Sequence, residues 1–233
     1  MQSPVKRPLI ALLLLPCILL IFSCGKDDGV APIGETDFWR QTNGPGVETV
    51  RSLAINQSGH IFAGTWGGGV FRSEDNGDNW TAVNTGLINT YVQALAINQS
   101  GHIFAGTEAG VFRSQDNGGS WVNTGLTNTD IQALAINADG HIFAGTYGGG
   151  VFRSQNNGGS WTAVNTGLTS TYVWALAINA NGHIFAGTYQ ADVCRSVDNG
   201  DHWTRVDTGL IDNADVRALA CLLYTSPSPR DRS

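Results

Sequence analysis

Three aspartates return in one setting. Each stands third in a Ser-x-Asp-x-Gly-x-x-Trp stretch: Ser73, Asp75, Gly77, Trp80; Ser114, Asp116, Gly118, Trp121; and Ser196, Asp198, Gly200, Trp203. A fourth copy, Ser154, Asn156, Gly158, Trp161, carries an amide in the acid's place. A carboxylate in this setting could ligate calcium or act as a catalytic acid. It could also accept hydrogen bonds from main-chain N–H groups about two residues on, folding the chain into a tight turn. Asn156 keeps that ability through its amide oxygen, weakened rather than lost. The glycine supplies φ > 0, and the tryptophan carries a large apolar surface into the core. A catalytic acid has no reason to recur at every turn of a repeat, so the stretch reads as a structural staple.

The other chemistry-bearing residues recur in the same way. His60, His102, His141 and His183 hold one equivalent position per copy, and Arg72, Arg113, Arg153 and Arg195 another, beside the staple. Histidines spread one per repeat do not converge on a metal as a local His-x-His pair could. No catalytic constellation, metal site or cofactor is expected from these residues.

The elements that position them follow from the period. Counting Trp39, the staple tryptophans fall 41, 41, 40 and 42 residues apart, a spacing that marks a repeat architecture. One unit runs from Val50 to Asn84. Val50–Asn56, His60–Thr65, Gly69–Ser73 and Trp80–Asn84 read as four strands joined by tight turns, an antiparallel meander. The runs Ala-Leu-Ala-Ile and Ile-Phe-Ala-Gly are almost continuously apolar, so both faces of each small sheet must be covered. Four-stranded blades stacked around an axis satisfy this, and the interleaved small residues allow close stacking. Further units span Val92–Asn123, Ile131–Asn165 and Val173–Asp207, and a fifth opens at Val216–Ala220. Unit two is three residues shorter, with both deletions expected at loops or strand ends. Phe38–Gly44 echoes the end of a unit. The fold class expected is all-β: a β-propeller of four-stranded antiparallel blades, with four full blades, an N-terminal outer strand and the start of a fifth blade.

In a meander alternate turns lie at opposite ends. The staple turns share one end with the Ser-Gly and Asp-Gly turns and barely vary. The other end carries the turns after each Ala-Gly-Thr and the connections between units, and these vary: Trp66, Glu108, Tyr147 and Tyr189 in one set; Tyr91, Asp130, Tyr172 and Asp215 in the other. Aromatic platforms near carboxylates suit sugars or a protein loop at the mouth of a central channel.

The staples on a roughly 40-residue β repeat resemble the Asp-box, or bacterial neuraminidase repeat, propellers. That superfamily includes sialidases, xyloglucan-degrading glycosidases, sortilin-type receptors and a photosystem II assembly factor. The likeness covers residues 38–220 and implies fold more strongly than function. Sialidase chemistry, as the resemblance implies it, needs an arginine triad and a tyrosine nucleophile aided by an acid; no single tyrosine–glutamate pair is matched to the recurrent arginines. The two aspartates of a xyloglucan-type enzyme could be imagined at Asp130 and Asp215, though nothing singles them out.

Charged residues are 14% of the 233, glycines number 30 and the formal net charge is −6. The charged share lies below the usual value of about 25%. There is no basic run, which argues against nucleic acid. Residues 1–23 read as an export signal, with Lys6 and Arg7 before the apolar run Leu9–Phe22, short for a membrane span. Its end, Ile21-Phe22-Ser23-Cys24, resembles a bacterial lipobox with Cys24 as the lipidated residue. Lys26-Asp27-Asp28 looks like a Bacteroidota cell-surface export signal, so the membrane is met only through a lipid anchor. Residues 24–37 read as a tether and 38–220 as the propeller. Residues 221–233 match one reading frame of a transposase sequencing adapter, so the native chain is expected to continue into further blades. The expected function is a non-catalytic surface or periplasmic module binding a glycan or protein through the variable end. The alternatives are a glycoside hydrolase with residues in further blades, and a sensory ectodomain.

Overall fold

The computed structural model describes residues 44–46, 49–127, 129–189, 192–207 and 215–221. Residues 1–37, Cys24 among them, the expected outer strand around Trp39 and the tail from 222 onward lie outside the described residues.

The meander repeats four times. Strands β1 (Thr49–Ile55), β2 (Ile61–Trp66), β3 (Gly69–Ser73) and β4 (Thr81–Ala82) form the first sheet in sequence order. Blade 2 comprises β5 (Val92–Ile97), β6 (Ile103–Thr107), β7 (Gly110–Ser114) and β8 (Val122–Thr127). Blade 3 comprises β9 (Ile131–Ile136), β10 (Ile142–Thr146), β11 (Val151–Ser154) and β12 (Thr162–Ala163). Blade 4 comprises β13 (Val173–Ile178), β14 (Ile184–Thr188), β15 (Val193–Ser196) and β16 (Thr204–Arg205). The first strands β1, β5, β9 and β13 touch in succession, so the sheets stack side by side with these strands innermost.

The apolar core lies in the seams between blades. Phe62 and Val70 of blade 1 pack with Val92, Ile103, Phe112 and Trp121 of blade 2. Phe104 and Val111 of blade 2 pack with Ile131, Ile142 and Ala144 of blade 3. Blades 3 and 4 share Phe143, Val164, Val173, Ile184 and Trp203. Burial of each such side chain contributes about 1.5–3 kcal/mol. The glycine of the Ile-Phe-Ala-Gly run in blades 1, 2 and 3 is required by the seam. A Cβ on Gly145 would stand 2.7 Å from Cγ1 of Val173, and one on Gly106 3.0 Å from Cβ of Ile131, in the next blade's inner strand.

The fourth strands differ from expectation. In blades 1, 3 and 4 they span two residues rather than five, and in blades 1 and 3 an asparagine side chain takes over the next pairing. Asn84 accepts from the Val70 amide at 2.7 Å and donates to the Gly68 carbonyl at 2.9 Å; Asn165 does the same with Val151 and Gly149. Unit two lacks the two residues that set this up. Its deletion falls at the strand end, as expected, and β8 runs on to six residues with a register shift between Gly110 and Phe112.

The staple is built as a turn, with two additions. The Ser73 hydroxyl donates to Asp75 Oδ1 at 2.8 Å and accepts from the Gly77 amide at 2.8 Å, while Asp75 accepts from the Asn79 amide at 2.8 Å. The amide reached is thus four residues on, not two. Asn76, Asn117, Asn157 and Asn199 also take positive φ, between 54° and 59°, so each staple has two consecutive left-handed residues; Asn is among the few non-glycine residues that tolerate this.

Candidate ligand-binding site

The recurrent polar residues are spent on the seams. Arg72 donates to the Asn117 carbonyl of the next blade's staple at 2.8 Å, Arg113 to Asn157 at 2.7 Å and Arg153 to Asn199 at 2.7 Å. Alongside them Asn56, Asn98 and Asn137 donate to the Oδ1 atoms of those same three asparagines at 2.9–3.0 Å. The histidine amides close the turns, His60 onto Asn56 at 2.9 Å and His102 onto Asn98 at 2.9 Å. No group of three or more His, Cys, Asp or Glu that could hold a metal occurs among the described residues. In the staples Asp116 is held down to about 2, first by the Ser120 hydroxyl, then by the Ser120 amide and Ser114. Asp198 is likewise lowered to about 2, first by the His202 amide and then by its ring. Asp75 is lowered by the Asn79 side chain and amide. Carboxylates that accept several hydrogen bonds are stabilised in their ionised form.

At the opposite end the variable residues meet in pairs across the seams. Trp66 of blade 1 and Tyr91, at the entry to blade 2, pack edge to face with centroids 5.1 Å apart, and their main chains form a bridge. Tyr147 and Tyr172 repeat the arrangement between blades 3 and 4 at 4.9 Å. Between blades 2 and 3 the same two positions hold Glu108 and Asp130. There the Asp130 carboxyl is raised above its ordinary value, first by burial and then by the Glu108 charge, against a hydrogen bond from Gln132 at 2.7 Å. The Tyr147 amide donates to the Asp130 carbonyl at 2.9 Å, joining the acidic pair to the aromatic one.

A cavity of about 440 Å³ opens beside the second aromatic pair, lined by Tyr147, Tyr172, Trp174, Tyr189, Asp215 and Arg217. Tyr147 is 56% exposed and Tyr189 47%. Tyr189 stands 6.0 Å from Tyr172, and Trp174 5.6 Å from Tyr147. The Arg217 guanidinium lies 4.5 Å above the Trp174 ring and pairs with Asp215 at 2.8 Å. Of the eight positions expected from sequence, the fold gathers Tyr147, Tyr172, Tyr189 and Asp215 into this cavity. Trp66 and Tyr91 form a separate pair, covered by Arg51 at 4.9 Å. Glu108 and Asp130 lie between the two.

Trp174 and Arg217 escaped the sequence reading, and a signal for them existed. Residues 51, 93, 132, 174 and 217 follow the first apolar residue of each inner strand and read Arg, Gln, Gln, Trp, Arg, while their flanks hardly change. Variation inside a strand was as informative as variation in the turns.

No protein-family model matches the chain, and no curated protein matches it. Solved structures do. An ancestral GH74 enzyme superposes with a TM-score of 0.60 at 26% identity, over 68% of this chain and 24% of its own. The extracellular domain of a hybrid two component system from B. thetaiotaomicron gives 0.60 at 19% identity, over 71% and 24%. YCF48 bound to D1 peptide gives 0.52 at 18% identity, over 70% and 55%. The fold is a β-propeller. This chain spans about a quarter of the first two structures and about half of the third, so the propeller likeness carries the architecture and leaves the activity to the site.

Proposed function

We propose that this propeller is a non-catalytic binding module of an exported protein, taking a neutral glycan at the mouth formed by its variable loops. The observation that carries this is the cavity of Tyr147, Tyr172, Trp174 and Tyr189 with the Asp215–Arg217 pair at its rim. Rings set at 57–76° to one another offer apolar faces in several directions, as the faces of a sugar ring require. The ion pair offers donors and acceptors side by side to vicinal hydroxyls without a net charge. A guanidinium already paired and stacked on an indole is poorly disposed to select an anion. A few placed polar groups on an aromatic wall are the usual make-up of a small-ligand site. Export is supported by the amino-terminal signal and by the extracellular neighbour; attachment through Cys24 belongs to the same reading.

Titration of the chain with a panel of neutral and sialylated oligosaccharides tests it. Binding of a neutral member, weakened about tenfold in Trp174→Ala, supports the proposal. Failure of the whole panel, or binding indifferent to Trp174, overturns it.

One observation favours a second reading, glycoside hydrolysis. Asp130 is raised beside Glu108, and glycosidases hold one carboxyl protonated as a general acid. Release of sugar from a xyloglucan oligosaccharide or a sialoside, abolished by Asp130→Asn, would establish it in place of the binding role.

A further inference from the structure

We propose, resting on the glycan-binding role, that Glu108 and Asp130 form a charge filter beside the aromatic cavity. The filter turns away glycans that carry a carboxylate, such as those ending in a uronic or sialic acid.

The pair stands one blade from the cavity. The Tyr147 amide donates to the Asp130 carbonyl at 2.9 Å, so the main chain of Asp130 is bonded to a residue of the cavity wall. Gln132 holds the Asp130 side chain, donating to Oδ1 at 2.7 Å. Gln132 and Trp174 fill the same position in the inner strands β9 and β13, which touch. Packed sheets stand about 10 Å apart, which sets the scale of the distance from the carboxylates to the Trp174 wall. Glu108 is exposed and Asp130 half-buried. The two are close enough for the Glu108 charge to act on Asp130.

No cation answers this pair. Among the described residues neither carboxylate is joined to an arginine or histidine, whereas Glu74, Asp192, Asp201, Asp207 and Asp215 each pair with an arginine. The chain keeps its positive charge elsewhere. No lysine falls between residues 38 and 220, and Arg72, Arg113, Arg153 and Arg195 stand beside the staples at the opposite end. At the variable end Arg51 covers Trp66, and Arg205 lies between two carboxylates, Asp192 and Asp207. Arg217 is held by Asp215, which leaves the cavity's own pair without net charge.

Two negative charges about 10 Å away, at an effective dielectric between about 20 and that of water, weaken binding of an anion roughly tenfold. A neutral sugar is indifferent to them and an ammonium is favoured. Salt screens the effect, because the Debye length falls from about 30 Å at 0.01 M to about 3 Å at 1 M.

Calorimetric titration at about pH 8, well above the carboxylate range, tests this. The probes are the neutral oligosaccharide that binds best in the panel and two derivatives of it. In one a hydroxymethyl is oxidised to a carboxylate; in the other it is converted to an aminomethyl. At low salt the chain is expected to take the carboxylate form about tenfold less well than the neutral one, and the aminomethyl form at least as well. The ratio of neutral to carboxylate affinity should fall to near one in Glu108→Gln/Asp130→Asn, and at about 1 M salt. It should invert in Glu108→Lys, a change on an exposed side chain. Equal loss of both charged forms would mean that bulk decides, and a ratio indifferent to the substitutions or to salt would place the selection elsewhere. Each of these outcomes overturns the filter and leaves the binding role standing. Failure of every neutral sugar to bind overturns the binding role, and the filter with it.

Discussion

The indole Nε1 of Trp121 donates to the main-chain carbonyl of Val83 at 2.7 Å, across the seam between blades 1 and 2. Trp203 reaches Val164 at 2.7 Å in the same way. Trp161 faces the shortened blade 2 and finds the Thr124 hydroxyl at 3.2 Å instead. Trp80 turns to the Gly77 carbonyl of its own staple at 3.0 Å. The tryptophan is therefore a latch between blades as well as a core residue.

Removing that latch should cost more where it crosses a seam. Trp121→Phe keeps most of the apolar surface and leaves the Val83 carbonyl without its donor, a loss of about 1–2 kcal/mol. Trp80→Phe breaks only a contact within one turn and should cost less. Urea unfolding midpoints of the two variants check the order, and equal effects would contradict the latch.

Acid should weaken the fold through the staples. Asp116 and Asp198 sit at about 2 in the folded protein against an ordinary 3.8. A depressed folded value means the unfolded chain binds protons first. The stabilisation is present above about 3.8 and is lost as pH falls towards 2. Asn156→Asp would give blade 3 the staple of blade 2, which has the same serine at the receiving position. It should add about 0.5–1 kcal/mol near neutral pH, discounted for exposure. That gain should vanish below about pH 2. Thermal melts across pH 2–7 distinguish this from a pH-independent packing gain.

Close stacking makes the sheet glycines intolerant. Gly145→Ala would press its new methyl against Val173, an overpacking worth about 1–3 kcal/mol. Pairing it with Val173→Ala should recover part of the loss in excess of the valine's own cost. A double-mutant cycle with no coupling would show that the seam yields elsewhere.

Ligand binding should depend on one aromatic cluster and not the other. Trp174→Ala removes a wall of the cavity and should weaken glycan binding roughly tenfold, about 1.4 kcal/mol. Trp66→Ala lies in the separate pair with Tyr91 and should leave affinity unchanged. Calorimetric titration of both against the bound oligosaccharide checks the assignment.

The repeat made the architecture legible. A spacing near 41 residues, the staple residues and the apolar inner runs sufficed for four-stranded blades, because turn chemistry and burial on both faces are local properties. The small residues interleaved in the inner runs read as allowing close stacking, and at Gly106 and Gly145 the stacking leaves no room for a Cβ. The division of the meander's turns into a constant and a variable end was legible for the same reason. Two other matters lay beyond local reading. The partners of Arg72, Asn56 and Trp121 are some 38–61 residues away, and only the angle between neighbouring blades brings them within hydrogen-bonding reach. The cavity joins side chains from turns, connections and inner strands of successive blades, so Trp174 and Arg217 acquire their place from the stacking rather than from their own surroundings in sequence. Residue types and period determined what each blade is; the rotation from one blade to the next decided what the blades make together.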